Sequence, residues 1–237
     1  MLLAHRIAAL AGALALCASA AQAAVTYQFT VDSSSIAGTS GFLEFQFANG
    51  GSFGVQQEAT ATISNFTGGL LSAEDPYTAS DLFGQPNVFG QVSGTLAHPV
   101  VMSGVTSNFD DYLQGIQFGS GFSFDLTLSG PAIDAPACGL GDCSLPGFSL
   151  DLLSADGSQF LLTGDPDSLT PTGWLLGQVE VNRDGSTTPI VNPGPGGGAA
   201  LLGVTAVPEP TAWALMLLGF GGAGAVLRRR RGGLAFS

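Results

Sequence analysis

The sequence predicts an all-β fold, an antiparallel β-sandwich of jelly-roll type, and three observations carry that expectation. Apolar and polar residues alternate with a period of two through several short segments, which sends one set of side chains into a core and the other toward water. Gly, Asn, Asp and Pro fall between those segments at spacings that suit turns. No stretch of the central region carries a helical period with caps, so a sandwich is favoured over an α/β arrangement.

The 237 residues are 45% hydrophobic and 10% charged, with 18 acids, six arginines and no lysine. That length accommodates one domain with extensions and enough apolar residues for a core. A net charge of −12 excludes a nucleic-acid partner, because affinity for a phosphate backbone comes from clustered Lys and Arg. The arginines are unevenly placed: Arg6 near the start, Arg183 in the middle, and Arg228, Arg229, Arg230 and Arg231 in one run.

Residues 1–23 read as a signal peptide. His5 and Arg6 form a positive start, Ile7 to Cys17 an apolar stretch, and Ala21-Gln22-Ala23 presents the small residues a signal peptidase accepts, placing cleavage after Ala23. An apolar helix of about 11 residues is too short to span a bilayer. Leu16 before Cys17 argues against a lipoprotein site, which wants a small residue there.

A β-sandwich domain is expected over residues 24–191. Its strand candidates are Val25 to Val31, Phe45 to Phe47, Ala59 to Ile63, Phe122 to Leu128, Phe148 to Leu153 and Gly173 to Val181. Catalytic residue types are scarce. His98 lies in Ala97-His98-Pro99 with no Gly-x-Ser-x-Gly elbow in the chain, so a hydrolytic triad is not supported and a surface histidine is the default. Asp110-Asp111 and Glu74-Asp75 are adjacent in sequence, and strand neighbours point to opposite faces, so neither pair makes an acid/base site alone. The domain is therefore expected to be non-enzymatic, with a carbohydrate-binding or carbohydrate-cleaving sandwich as the alternative, using Tyr77, Tyr112 or Trp174 as aromatic platforms.

Cys138 and Cys143 remain once Cys17 leaves with the signal peptide. Two cysteines in an exported domain suggest an intramolecular disulfide across a short Gly-containing loop, with free thiols or a metal as alternatives. No cofactor is expected, and calcium is the one candidate to weigh. Glu180-x-Asn182-x-Asp184-Gly185 echoes the first half of a calcium loop, yet the twelfth position is Val191 where a bidentate acid belongs. The same residues read as a hairpin turn in which Asp-Gly supplies the positive φ angles.

Residues 192–206 have the composition of a flexible linker: Asn192 to Ala200 holds two prolines and four glycines in nine residues. Then come Pro208-Glu209-Pro210, an uncharged apolar run from Thr211 to Leu227, and the four arginines. The prolines hold the segment extended for a groove-type enzyme to read. Seventeen apolar residues make a short transmembrane helix, and arginines kept in the cytoplasm leave residues 24–207 outside the inner membrane.

The order of Pro-Glu-Pro, apolar helix and arginine cluster over residues 207–231 resembles the PEP-CTERM sorting signal of Gram-negative bacteria, with residues 232–237 as a short tail beyond it. The resemblance implies processing by exosortase, an integral-membrane protease, and sorting to the cell surface or extracellular matrix. The expected role is a surface, biofilm or exopolysaccharide-associated component. Thr30 to Phe47, Ser64 to Gly69 and Phe124 to Pro131 are also similar to a recurrent class of small exported PEP-CTERM proteins, which brings no activity with it. With both signals removed, residues 24–207 hold seventeen acids against Arg183 alone, a net charge of −16.

Overall fold

The computed structural model describes residues 24–48, 51–52, 57–80, 84–104, 109–134, 136, 143–163 and 175–208. The expected signal peptide, the Pro-Glu-Pro motif beyond Pro208, the apolar run and the arginine cluster lie outside the described residues, as does Trp174.

Two antiparallel sheets face each other across one core. The first runs in the order β15 (Leu202–Val207), β1 (Val25–Asp32), β10 (Gly121–Ser129), β4 (Thr60–Thr67), β8 (His98–Ser103), β7 (Val92–Thr95). The second runs β14 (Thr187–Val191), β13 (Gly177–Val181), β12 (Gly147–Ser154), β2 (Ser40–Ala48), β9 (Phe109–Gln117), β5 (Leu70–Leu71), with β6 (Val88–Phe89) also on β9. A two-stranded ribbon pairs β3 (Gly51–Ser52) with β11 (Cys143–Ser144). Among the described residues the chain changes sheet at β1–β2, β2–β4, β4–β5, β6–β7, β8–β9, β9–β10, β10–β12 and β14–β15, so both sheets are built from strands drawn from the whole chain, as a sandwich allows. The one α-helix among the described residues is a single turn, α1 (Pro131–Asp134), which tucks Ala132 and Ile133 into the core.

Alternation explains the core. Tyr27, Phe29 and Val31 of β1 and Phe122, Phe124, Leu126 and Leu128 of β10 point inward from the first sheet; Leu43, Phe45 and Phe47 of β2 and Phe148, Leu150 and Leu152 of β12 meet them from the second. Phe29 stacks on Phe124 at 4.8 Å between ring centres, and Phe45 meets Phe124 edge-on at 5.3 Å, an arrangement that matches positive ring edges to negative faces. Between Ser123 and Asp125 the register of β10 on β4 shifts. Asn65 takes up the bulge at φ 54° and donates through Nδ2 to the Asp125 carboxylate at 2.7 Å.

The expected linker at residues 192–206 is corrected by the structure. Asn192 is buried and donates from Nδ2 to the Leu175 carbonyl at 2.7 Å, Gly194 bridges Gly198 around a 3₁₀ turn, and Leu202–Val207 pairs antiparallel with β1. Positive φ at Gly196 and Gly197 makes a compact turn out of a composition that suggested slack. The following Leu-Gly-Val-Thr-Ala-Val then satisfies the open hydrogen-bonding edge of β1. Leu202 fills the space over Gly177, where a Cβ would overlap its side chain. The folded unit thus continues to Val207, immediately before Pro208.

Candidate functional site

The outer face of the second sheet carries an unusual mixture for a solvent face. Register pairs place Asp151, Glu44 and Leu113 in one row across β12, β2 and β9, with Ser149, Gln46, Asp111 and Phe89 in the next row across β12, β2, β9 and β6. Leu153 and Phe42 flank these on one side, Ala48 and Phe109 on the other. Carboxylates alternate with phenyl rings where a purely structural face would carry Thr, Ser and Lys.

All of these except Asp151 line three hollows that follow β2 along its length. The central one, about 480 Å³, is bounded by Phe42, Glu44, Phe89, Phe109, Asp111 and Phe160. Phe42 is shared with a hollow of about 640 Å³ toward Leu70, Ser72 and Glu74. Phe109 is shared with one of about 400 Å³ toward Gln46, Ser149, Gln178 and Glu180. At about 3.3 Å per residue, the span from Ser40 to Ala48 is roughly 26 Å. Phe89 is 58% exposed and Phe109 39%, so both rings present apolar surface to a ligand.

Electrostatics concentrate behind the central hollow. Asp151 is 2% exposed, and its Oδ1 is buried without a hydrogen-bond partner among the described residues. Burial, and then the charges of Glu44 and Asp111, push its carboxyl up to about 8, so that it carries a proton at neutral pH. Glu44 accepts a hydrogen bond from Gln46 Nε2 at 3.0 Å, which orients its carboxylate along the groove.

The sequence candidates fare variously. Asp110 and Asp111 do point to opposite faces: Asp110 is buried and accepts from the Gln91 backbone N–H at 2.7 Å, while Asp111 lines the groove. Asp75 organises a turn, accepting from the Tyr77 backbone N–H at 3.0 Å. Tyr112 is corrected from platform to core: it is fully buried, its hydroxyl donates to Gln114 Oε1 at 3.0 Å, and burial pushes its phenol up to about 12. Tyr77 is 42% exposed and donates to the Gly94 carbonyl. His98 is exposed at the start of β8. Cys138 lies outside the described residues, and Cys143 is described by its backbone pairing with Ser52.

The segment weighed for calcium closes the β13–β14 hairpin. Asp184 accepts from the Ser186 backbone N–H at 2.9 Å and from its hydroxyl at 2.6 Å, which lowers the carboxyl. Asn182 Nδ2 donates to Ser186 Oγ and Thr188 Oγ1, while Glu180 accepts from Gln178 Nε2. Gly185 follows at φ 80° against the α1 backbone. No group of three His, Cys, Asp or Glu suited to a metal occurs among the described residues.

Sequence reasoning missed Glu44 and Asp151. One signal was present: Phe42, Leu113 and Leu153 are apolar at outward register positions, breaking the alternation beside each of the two acids.

Fold and groove together define an antiparallel β-sandwich with a groove along one outer face. Residues 206–231 match the family model of the PEP-CTERM protein-sorting motif, so the chain carries a PEP-CTERM sorting signal, the address of an exported protein processed by exosortase. No curated protein matches the chain, and no solved structure matches it.

Proposed function

We propose that this protein is a cell-envelope or extracellular-matrix component whose β-sandwich holds exopolysaccharide in the outer-face groove without acting on it chemically. In this reading exosortase releases the domain near Pro208-Glu209-Pro210, after signal peptidase has cut behind Ala23. The observation that carries it is the continuity of three hollows, joined by Phe42 and Phe109 and floored by polar side chains, along one sheet face. Sugar rings present apolar faces to aromatic rings and hydroxyls to carboxylates, and a groove of this length suits a polymer better than a compact metabolite.

Binding without hydrolysis is supported by the placement of the acids. Glycosidic cleavage uses two carboxyls flanking the scissile bond. Glu44 and Asp111 rise from the same face of adjacent strands and would both meet a ligand from below. Hydrolysis is the second reading, with Glu44 and Asp111, the two acids that line the central hollow, as its carboxyl pair. Release of reducing ends that disappears in Glu44→Gln would establish that second reading.

The test of the first is fractionation of the producing cells. The mature protein should be recovered with the exopolysaccharide, Phe89→Ala should shift it to the soluble fraction, and mass spectrometry should find the arginine run removed only when exosortase is present. Wild-type protein free of the polymer, or an intact tail in both strains, would overturn the reading.

A further inference from the structure

We infer that the end of β15, Thr205 to Val207, is a release strap: it peels from β1 to hand the sorting signal to exosortase, while the start of the strand stays docked and keeps the sandwich closed. This rests on the exosortase processing read from that signal. The family match begins at Ala206 and β15 ends at Val207, so the signal starts inside the sheet. Ala206 pairs with Tyr27 and Val207 with Thr26, and Pro208 follows with no residue between. An enzyme groove that encloses an extended segment takes up backbone groups on both of its edges, whereas here one edge is committed to β1. No spacer separates the ladder from Pro208-Glu209-Pro210, so the sandwich itself stands beside the segment to be read.

The strand is held unevenly along its length. At its start Leu202 is 4% exposed and fills the space over Gly177, Val204 packs against the core, and the Asp32 N–H donates to the Leu201 carbonyl at 2.8 Å. From Thr205 onward every residue is exposed, with Val207 at 40%. Among the described strands β15 ends the order of its sheet, so β1 is the one neighbour from which it must separate. Pro208 has no N–H with which to extend the ladder. Opening therefore begins at Val207, gives up few apolar contacts, and stops where Val204 and Leu202 are anchored. Three residues freed at about 3.3 Å each give roughly 10 Å of extended chain. Thr26, the partner of Val207, is also the second residue of β1, so the chain leaves the domain toward both expected processing sites at this one corner.

The experiment follows tail removal from the full-length precursor in membranes containing exosortase, by mass spectrometry over time. Two cysteine staples are compared with the wild type, each built in a Cys138→Ser, Cys143→Ser background and assayed oxidised and reduced. Thr26→Cys with Val207→Cys closes the exposed end across a directly opposed pair. Thr30→Cys with Gly203→Cys closes the anchored end, where a Cβ added at Gly203 meets nothing nearer than 3.8 Å. The first staple should slow removal about tenfold when oxidised and recover on reduction, because cutting draws on the opened population. The second should leave the rate unchanged, which also shows that a staple as such does not obstruct the enzyme. Wild-type rates for both oxidised staples would overturn the strap. Slowing by the second staple, alone or with the first, would overturn it as well, since the whole strand would then have to leave. An intact tail in the wild-type precursor with exosortase present would instead remove the sorting reading on which the strap rests.

Discussion

The two sheets share one core and differ on their outer faces. Outside β1, β10 and β4 stand Thr26, Gln28, Thr30, Ser123, Asp125, Thr127, Thr60, Thr62 and Ser64, short polar residues that pair across strands. Thr26 meets Thr127 at 3.0 Å, Thr67 meets Ser123 at 2.9 Å, and Asn65 holds Asp125. Such a face satisfies itself. The outer face of β12, β2 and β9 instead keeps phenyl rings in the open and sets Glu44, Asp111 and Asp151 near enough to raise the last of them. Folding requires only the first kind of surface. Like charges and exposed aromatic rings lower stability and solubility, so their concentration on one face is what supports reading it as the binding face.

Four substitutions probe that contrast. Phe124 touches Phe29, Phe45 and Phe148, so Phe124→Ala opens a cavity under both sheets and should cost about 3–5 kcal/mol, measured by denaturant unfolding. A small loss would mean that the faces do not rest on a common core. Leu202→Ala leaves the space over Gly177 empty and loosens β15; about 2–3 kcal/mol is expected, with faster amide exchange confined to β15 and β1. Uniform exchange would contradict the docking of this edge strand.

Asp151→Asn should stabilise, and its pH dependence carries the proof. The carboxyl lies near 8 in the fold against an ordinary 3.8, so the native state binds the extra proton throughout that window. Stability therefore falls as pH rises from about 4 to about 8, and is lowest above it. The variant should gain about 2 kcal/mol at the alkaline end, well inside the ceiling of about 1.4 kcal/mol for each pH unit between the folded and unfolded titrations, and nothing at the acid end. Thermal melts across that range decide it: a gain independent of pH would assign the effect to packing. Smallest is Thr127→Val on the self-satisfied face, where a half-buried cross-strand pair is worth about 0.5 kcal/mol; glycan binding should not change.

Much of the fold is legible where each strand obeys a single rule. Val25 to Val31 and Phe122 to Leu128 alternate cleanly because one face is buried and the other wet, and both form strands. Phe109-Asp110-Asp111-Tyr112-Leu113-Gln114 hides its strand, because β9 turns Asp110 and Gln114 inward, where they are held by Gln91 and Tyr112, and Phe109 and Leu113 outward. The stretch that breaks the pattern is the one that builds the groove. The Gly/Pro-rich run before β15 misleads for a different reason: composition reports the freedom of an isolated chain, whereas the open edge of β1 offers hydrogen bonds that outweigh it.

The export and sorting signals are local. Apolar length, small residues, Pro-Glu-Pro and the arginine run act as short linear segments, so reading the chain in order is enough to find them, and the same holds for the period-two patterns that make the fold all-β. The groove is not local. Asp151 stands opposite Glu44 and Asp111 opposite Gln46 through strand pairings between residues far apart in the chain, and a slip of one residue in either register would send every one of those acids into the core. Register is settled by the packing of Phe29, Phe45, Phe124 and Phe148 between the sheets, and the chemistry of the outer face follows from it.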